Sequence, residues 1–215
     1  MKRTLGAGRS CICLGLISML SACGNGAKDL PIVMMGQLLA DKAEGLAAEP
    51  AAIIPPEEVA RRALAATDRP VLMVKFEDDP QARVLFEIQS NGNYVVWGAP
   101  DRRTLTTYRG VLAETRGLKQ DMMASDVAAL ATTLTSGASG PVSHKQTYLT
   151  PEYVTQTVTA SCTVTAGPGG ALSESCRDGE TSFENSYSLG SRGEIRSARQ
   201  WVSPLVGYIT ITRLR

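Results

Sequence analysis

The side chains of this 215-residue chain whose type and spacing could do chemistry are five cysteines, a single histidine and one pair of adjacent aspartates. Cys23 follows Leu20-Ser21-Ala22 at the end of an apolar run. The thiolate is the strongest nucleophile among the side chains, and small residues before it let an extended backbone enter a peptidase, so Cys23 is placed for modification and cleavage. Cys162 and Cys176 flank Gly167-Pro168-Gly169-Gly170, and the midpoint between them is residue 169. A hairpin centred there sets the two thiols opposite each other, and a non-hydrogen-bonded pair brings the Cα atoms close enough for a disulfide. Such a bond would close a loop of about 15 residues, worth on the order of 3 kcal/mol in chain entropy.

The remaining candidates are weaker. His144 could act as a general base, but no Gly-x-Ser-x-Gly elbow or other nucleophile motif accompanies it. No metal-ligand spacing involves it either, so a structural or surface histidine is expected. Asp78-Asp79 precede Pro80 between two strand-like runs, where paired acids are turn residues far more often than catalytic carboxylates. Gly167 to Gly170 lies between strands with no helix to follow, unlike a phosphate-binding loop. Arg192, Arg196, Arg199 and Arg213 gather near the C-terminus. They could meet acidic sugars or phospholipid heads, although strand-surface salt bridges are the plainer account. No catalytic residue, cofactor site or metal site is expected, and the chain does not read as an enzyme.

The N-terminus carries Lys2, Arg3 and Arg9 without an acid, then an apolar run from Cys11 to Leu20. A charged start, a short apolar stretch and small residues at a cleavage point describe an exported chain. The run is about half of the roughly 20 residues a helix needs to cross a bilayer. Leu20-Ser21-Ala22-Cys23 resembles the lipobox of bacterial lipoprotein signal peptides. Residues 1–22 are therefore expected to be removed, and Cys23 to receive a diacylglycerol and then an acyl chain on its new amine. Two acyl chains already anchor stably, so three hold firmly. Gly24 follows, not the Asp that retains enterobacterial lipoproteins in the inner membrane, so by that rule the chain is expected at the outer membrane, facing the periplasm. Removing 22 of 215 residues leaves 193, and losing three positive charges takes the formal charge from +1 to −2. A near-neutral body has no basic footprint for nucleic acid. In an oxidising periplasm the two remaining cysteines favour the disulfide.

Residues 23–56 read as a lipidated tether with a helical and linker segment: small and polar from Gly24 to Asp29, helix-compatible from Pro31 to Ala48, then three prolines up to Pro56. Pro56-Glu57-Glu58 starts a second helix running to Thr67. After Asp68 the apolar period changes to two. Strands are expected at Val71–Phe76, across Val84, Phe86 and Ile88, and, after an Asn91-Gly92 turn, at Tyr94–Trp97. Others follow at Leu105–Tyr108 and Val111–Leu112. Met123, Val127, Leu130 and Leu134 recur at helical spacing, which predicts a short helix near 121–134. The clearest strand runs from Val154 to Ala166, with Val158, Ala160, Cys162 and Val164 on one face and threonines and Ser161 on the other. Phe183, Asn185, Tyr187 and Leu189 alternate next, then Ile195–Val202 and Tyr208–Leu214. Residues 57–215 are thus expected to form an all-β domain, an antiparallel barrel-like or sandwich sheet, with short N-terminal helices.

Asn93-Tyr94-Val95-Val96-Trp97, Tyr108-Arg109-Gly110-Val111-Leu112 and Thr115-Arg116-Gly117-Leu118, together with Gly193-Glu194-Ile195-Arg196-Ser197-Ala198-Arg199-Gln200-Trp201, resemble the YjbF/GfcB family of lipoproteins. The resemblance spans about residues 57–214 along with the lipobox. The cysteine hairpin is similar to that of alphaproteobacterial-type members. The resemblance implies a barrel-like all-β fold and a role in making or exporting capsular or extracellular polysaccharide. It implies action beside an outer-membrane β-barrel protein and a periplasmic partner, with polysaccharide itself a further candidate partner, and it transfers no catalytic residue. A lipid- or lipoprotein-binding β-barrel module is the other reading the strand pattern permits.

Overall fold

A computed structural model describes residues 52–215 except Glu180. The expected signal segment, Cys23 and the helix expected within Pro31–Ala48 lie outside the described residues.

Proline and acids begin the first described helix, α1 (Pro56–Ala66), which has no side-chain cap but holds Glu57 and Glu58 in its first turn. Proline costs nothing at that position and the acids suit the helix dipole. The helix ends where Thr67 turns extended. Twelve strands follow: β1 (Val71–Phe76), β2 (Arg83–Asn91), β3 (Tyr94–Gly98), β4 (Thr104–Tyr108), β5 (Val111–Arg116) and β6 (Met122–Asp126); then, beyond a second helix, α2 (Ala128–Thr135), come β7 (Gly140–Leu149), β8 (Thr155–Ala166), β9 (Ala171–Asp178), β10 (Thr181–Leu189), β11 (Ile195–Ser203) and β12 (Gly207–Arg213). Each strand pairs antiparallel with its sequence neighbour except across one seam, between β5 and β6. The last strand returns to the first, with Leu72 opposite Arg213 and Phe76 opposite Ile209. The result is a nearly closed twelve-stranded barrel, one of the two all-β architectures, barrel-like or sandwich, that the alternating pattern allows.

The predicted helix near 121–134 is shorter than its spacing suggests. Residues 122–126 form β6, in which Met122 pairs with Tyr148 and Ser125 with Gln146. Pairing satisfies the backbone groups of β7's edge, which a helix there would leave open. Helical spacing takes over from Val127, and Leu130, Ala131 and Leu134 are sealed from solvent. Val84 and Phe86 also differ from the simplest reading. Phe86 faces outward, where Ala63 of α1 and Val71 cover it and Val84 packs alongside, while Leu85 points into the barrel.

Inward rows from β1–β5, β11 and β12 build one core around Leu72, Trp97, Leu105, Leu112, Ile209 and Ile211. A second surrounds α2, with Val164, Leu172, Tyr187, Ile195 and Ala198. Strand β5 lies between them, buried on both faces: Leu112 joins the first core, and Val111 and Ala113 the second. Its free edge is not left bare, because the Leu112 N–H donates to Gln200 Oε1 on β11 at 3.1 Å. The β4–β5 hairpin delivers the strand by a two-residue turn in which Arg109 (φ 49°) and Gly110 (φ 90°) are both left-handed, as a type I′ hairpin requires. A Cβ on Gly110 would stand 2.9 Å from Ile195 Cβ. The seam itself is stitched by side chains: Asp121 accepts from the Thr115 hydroxyl and from the Gly117 and Leu118 N–H groups, and the Thr115 hydroxyl accepts from Met122 N–H.

Replacing Gln200 by Leu keeps its volume and strands the Leu112 N–H. The expected cost is about 1–3 kcal/mol, read as a lowered urea midpoint with an unchanged slope. An unchanged midpoint would mean that β5 does not depend on this bond.

Candidate functional site

The alternation of β8, β9 and β10 turns a row of polar side chains inward among the apolar ones. Glu174 lies between Leu172 and Cys176 on β9, and Asn185 between Phe183 and Tyr187 on β10; both Glu174 and Asn185 are fully buried. Register places Cys162 opposite Cys176, with Cα atoms 4.0 Å apart and the sulfurs bonded, as the hairpin arithmetic predicts. His144 of β7 is buried rather than on the surface. Its Nδ1 donates to Glu174 Oε1 at 2.9 Å, and the Ser125 hydroxyl lies 3.2 Å from its Nε2. The other carboxylate oxygen accepts from Asn185 Nδ2 at 2.7 Å and from the Tyr187 hydroxyl at 2.9 Å. Asn185 continues the network by accepting from Trp201 N–H.

Burial alone would raise the Glu174 carboxyl, but the bonds from His144, Asn185 and Tyr187 outweigh it and hold the group below the usual carboxylate range. The same burial, with the Glu174 charge beside it, pushes the Tyr187 phenol well up. His144, Glu174 and the two cysteines place potential ligand atoms within 4.8 Å of one another. With both sulfurs committed to their bond, neither offers the thiolate that a metal needs.

Ser125, His144 and Glu174 have the order of contacts of a serine nucleophile, base and orienting acid. Sequence motifs could not have brought them together, because β6, β7 and β9 supply one residue each. None of the three lines the cavities bounded by Trp97, Phe76, Pro100 or Val59, and His144 and Glu174 are sealed from solvent. The three bonds to Glu174 hold β7, β9 and β10 in register.

The larger cavity opens at one end of the barrel and encloses about 440 Å³. Its floor is apolar, formed by the inward-facing Leu72, Val95, Trp97 and Ile211. Trp97 is fixed by donating from Nε1 to the Thr107 hydroxyl at 2.9 Å. Its rim holds Arg109, Arg192, Arg196 and Arg213. Three of these belong to the C-terminal arginine group noted in the sequence; the fourth, Arg199, lies elsewhere, pairing with Glu77 at 2.7 Å and covering the Tyr208 ring at 3.6 Å. Arg109 was not singled out, and its place after Tyr108 in a tight turn gave no signal that it would face the same opening.

Residues 54–214 match the family described as group 4 capsule polysaccharide lipoprotein gfcB, YjbF. The matched stretch contains all twelve strands, and the chain belongs to that family. The fold is similar to that of the crystal structure of the hypothetical lipoprotein YmcC from Escherichia coli (K12), with a TM-score of 0.65 and 14% identity over 88% of this chain and 98% of the other. No curated protein sequence matches the chain.

Two outcomes follow from the buried network. A carboxyl held low in the folded state stabilises the fold above its unfolded value and loses that contribution as pH falls through the folded one. Glu174→Gln should cost about 3 kcal/mol near neutral pH, and the gap to wild type should narrow as pH is lowered from about 4.5. A gap constant across that range in urea titrations would show that charge at Glu174 is not what matters. Secondly, a serine-directed phosphonate should leave Ser125 unmodified by mass spectrometry; stoichiometric labelling lost in His144→Ala would make the constellation a nucleophile.

Proposed function

We propose that this chain is an outer-membrane lipoprotein, facing the periplasm and held by lipid on Cys23, that assists the assembly or secretion of capsular or extracellular polysaccharide without catalysing a reaction. The observation that carries this reading is the family match across the entire β domain, residues 54–214. The lipobox-like Leu20-Ser21-Ala22-Cys23 supports the anchor, and the likeness of fold to another lipoprotein agrees with it. The same reading gives it partners: an outer-membrane β-barrel protein and a periplasmic component of the secretion machinery.

The alternative of a lipid or lipoprotein carrier needs an apolar lumen to receive its cargo. Here the enclosed volume is occupied by two packed cores and a helix, which weighs against that use.

The test measures secreted polysaccharide from a deletion strain, the same strain given the intact gene, and the same strain given Cys23→Ser. Loss in the deletion, restored only by the lipidated form, is expected. Equal output from all three would overturn the secretion role. Restoration by Cys23→Ser would overturn the need for the anchor.

A further inference from the structure

We propose that the arginine-rimmed mouth of the barrel binds an anionic glycan, engaging carboxylate or phosphate groups on its sugars. The inference rests on the secretion role above and gives it a substrate class and a site.

The two ends of the barrel treat their charges differently. At the end bearing the β1–β2, β3–β4 and β5–β6 turns, three cations are matched, Arg83 with Asp79, Arg103 with Asp101, and Lys119 with Asp78, and Arg102 alone in these turns has no acidic partner among the described residues. At the other end, four guanidiniums surround the cavity and Glu194 is the one carboxylate among its lining residues. Glu194 accepts from the Arg192 N–H at 3.0 Å and lies 3.9 Å from that guanidinium. Among the described residues, Arg109, Arg196 and Arg213 have no Asp or Glu side chain within the 4.0 Å of a salt bridge, and Arg213 Nε donates to the Arg215 backbone oxygen at 3.3 Å. Three cations without an acidic side-chain partner among the described residues, around one opening on a body of formal charge −2 without its signal segment, are a local field of the kind that attracts an anion.

The fold fixes these groups rather than scattering them. Arg213 ends the inward row Ile209–Ile211 and stands opposite Leu72. Arg109 occupies a left-handed turn position usually taken by Asn, Asp or Gly, so the hairpin accepts backbone strain with an arginine at its tip. Guanidinium groups bind carboxylate and phosphate through paired N–H donors. The 440 Å³ enclosed below them is within the range of small-ligand sites.

The same geometry favours a glycan over a phospholipid. An acyl chain spans about half of a roughly 30 Å hydrocarbon core, whereas the cavity ends on Trp97, Leu72 and Ile211, each nearly sealed from solvent. The described chain also enters at the opposite end of the barrel, where the Ile54 N–H donates to Gln81. Ile53, Tyr153, Val154 and Leu205, four of the six large exposed apolar side chains among the described residues, lie at that end too. The tethered, apolar end suits the membrane, and the arginine mouth then points away from it. Sugar C–H faces and small apolar substituents can rest on the floor while anionic groups meet the rim.

Calorimetry on the full lipidated protein in detergent tests this with four probes: an oligogalacturonate, a phosphorylated mannan oligomer, a neutral maltodextrin of equal length, and phosphatidylglycerol in mixed micelles. Binding of at least one anionic glycan, about tenfold or more tighter than maltodextrin and weakened by salt, is expected. Arg109→Gln combined with Arg196→Gln and Arg213→Gln should weaken it by at least about tenfold with the melting temperature unchanged, and Arg199→Gln should leave it within about twofold. Binding of neither anionic glycan, equal binding of maltodextrin, indifference to the triple variant, or phosphatidylglycerol displacing the glycan would each overturn the proposal. In cells, a triple variant that restores full polysaccharide output to a deletion strain would also overturn it while leaving the secretion role standing. A deletion without any effect on output would instead remove the secretion role.

Discussion

A twelve-stranded barrel encloses more space than its own inward side chains can fill. Eight strands give an interior just wide enough for that, and every strand beyond eight adds lumen that must be packed, wetted or opened to a ligand. Most of the unusual features of this chain answer that excess. The sheet stays unpaired along one seam, β5 turns into the interior, and α2 fills the space behind it. What would be one oversized lumen becomes two cores of ordinary thickness. The residual space lies at the mouth, lined by the turns holding Arg109 and Arg192.

Bringing an edge strand inside has its own cost, because a buried N–H without a partner is expensive. The Gln200 side chain meets that demand for Leu112. Gly110 allows the close approach to Ile195 that the inward path requires. Gln120 ties the seam loop to the β11–β12 turn through Leu205 N–H. The other polar residues inside the barrel follow the same logic. Glu174 would be costly in an apolar core, but three groups, the Asn185 amide, the Tyr187 hydroxyl and the imidazole of His144, bond to it. Such a network adds little net stability compared with a packed apolar one. Its effect is on register, since one carboxylate fixes three strands whose apolar faces alone would tolerate sliding.

Much of this was legible in the sequence because period-two alternation is a local signal. Val158 to Val164 turn inward as read, and the Cys162–Cys176 hairpin follows from counting residues to a Gly-Pro-Gly-Gly turn. The first helix starts at Pro56, where proline and acids mark it. The errors arise where tertiary contacts decide. Residues 122–126 carry a helical spacing but are drafted into the sheet by the free edge of β7. The partnership of His144, Glu174 and Asn185 joins strands whose order in the sheet no local pattern reveals, although alternation alone would have placed Glu174 inward. The arginine mouth was half visible: Arg192, Arg196 and Arg213 cluster in sequence, but Arg199, two strand positions away from the cavity, was grouped with them and Arg109 was not.

The segments that carry the family resemblance acquire a common physical meaning once the fold is known. Arg109-Gly110-Val111-Leu112 and Glu194-Ile195-Arg196 through Gln200 lie more than 80 residues apart, yet they meet inside the barrel. Gly110 packs on Ile195, and Leu112 bonds to Gln200. These contacts lock the inward strand, and the same two segments present Arg109 and Arg196 at the opening immediately beside the lock. Architecture and binding surface are therefore not separable here. A change that frees β5 would also displace half of the arginine rim, whereas exchanging the arginines for neutral side chains of similar length leaves the lock untouched. That asymmetry arises because the guanidiniums lie outside the hydrogen-bonded frame that holds them.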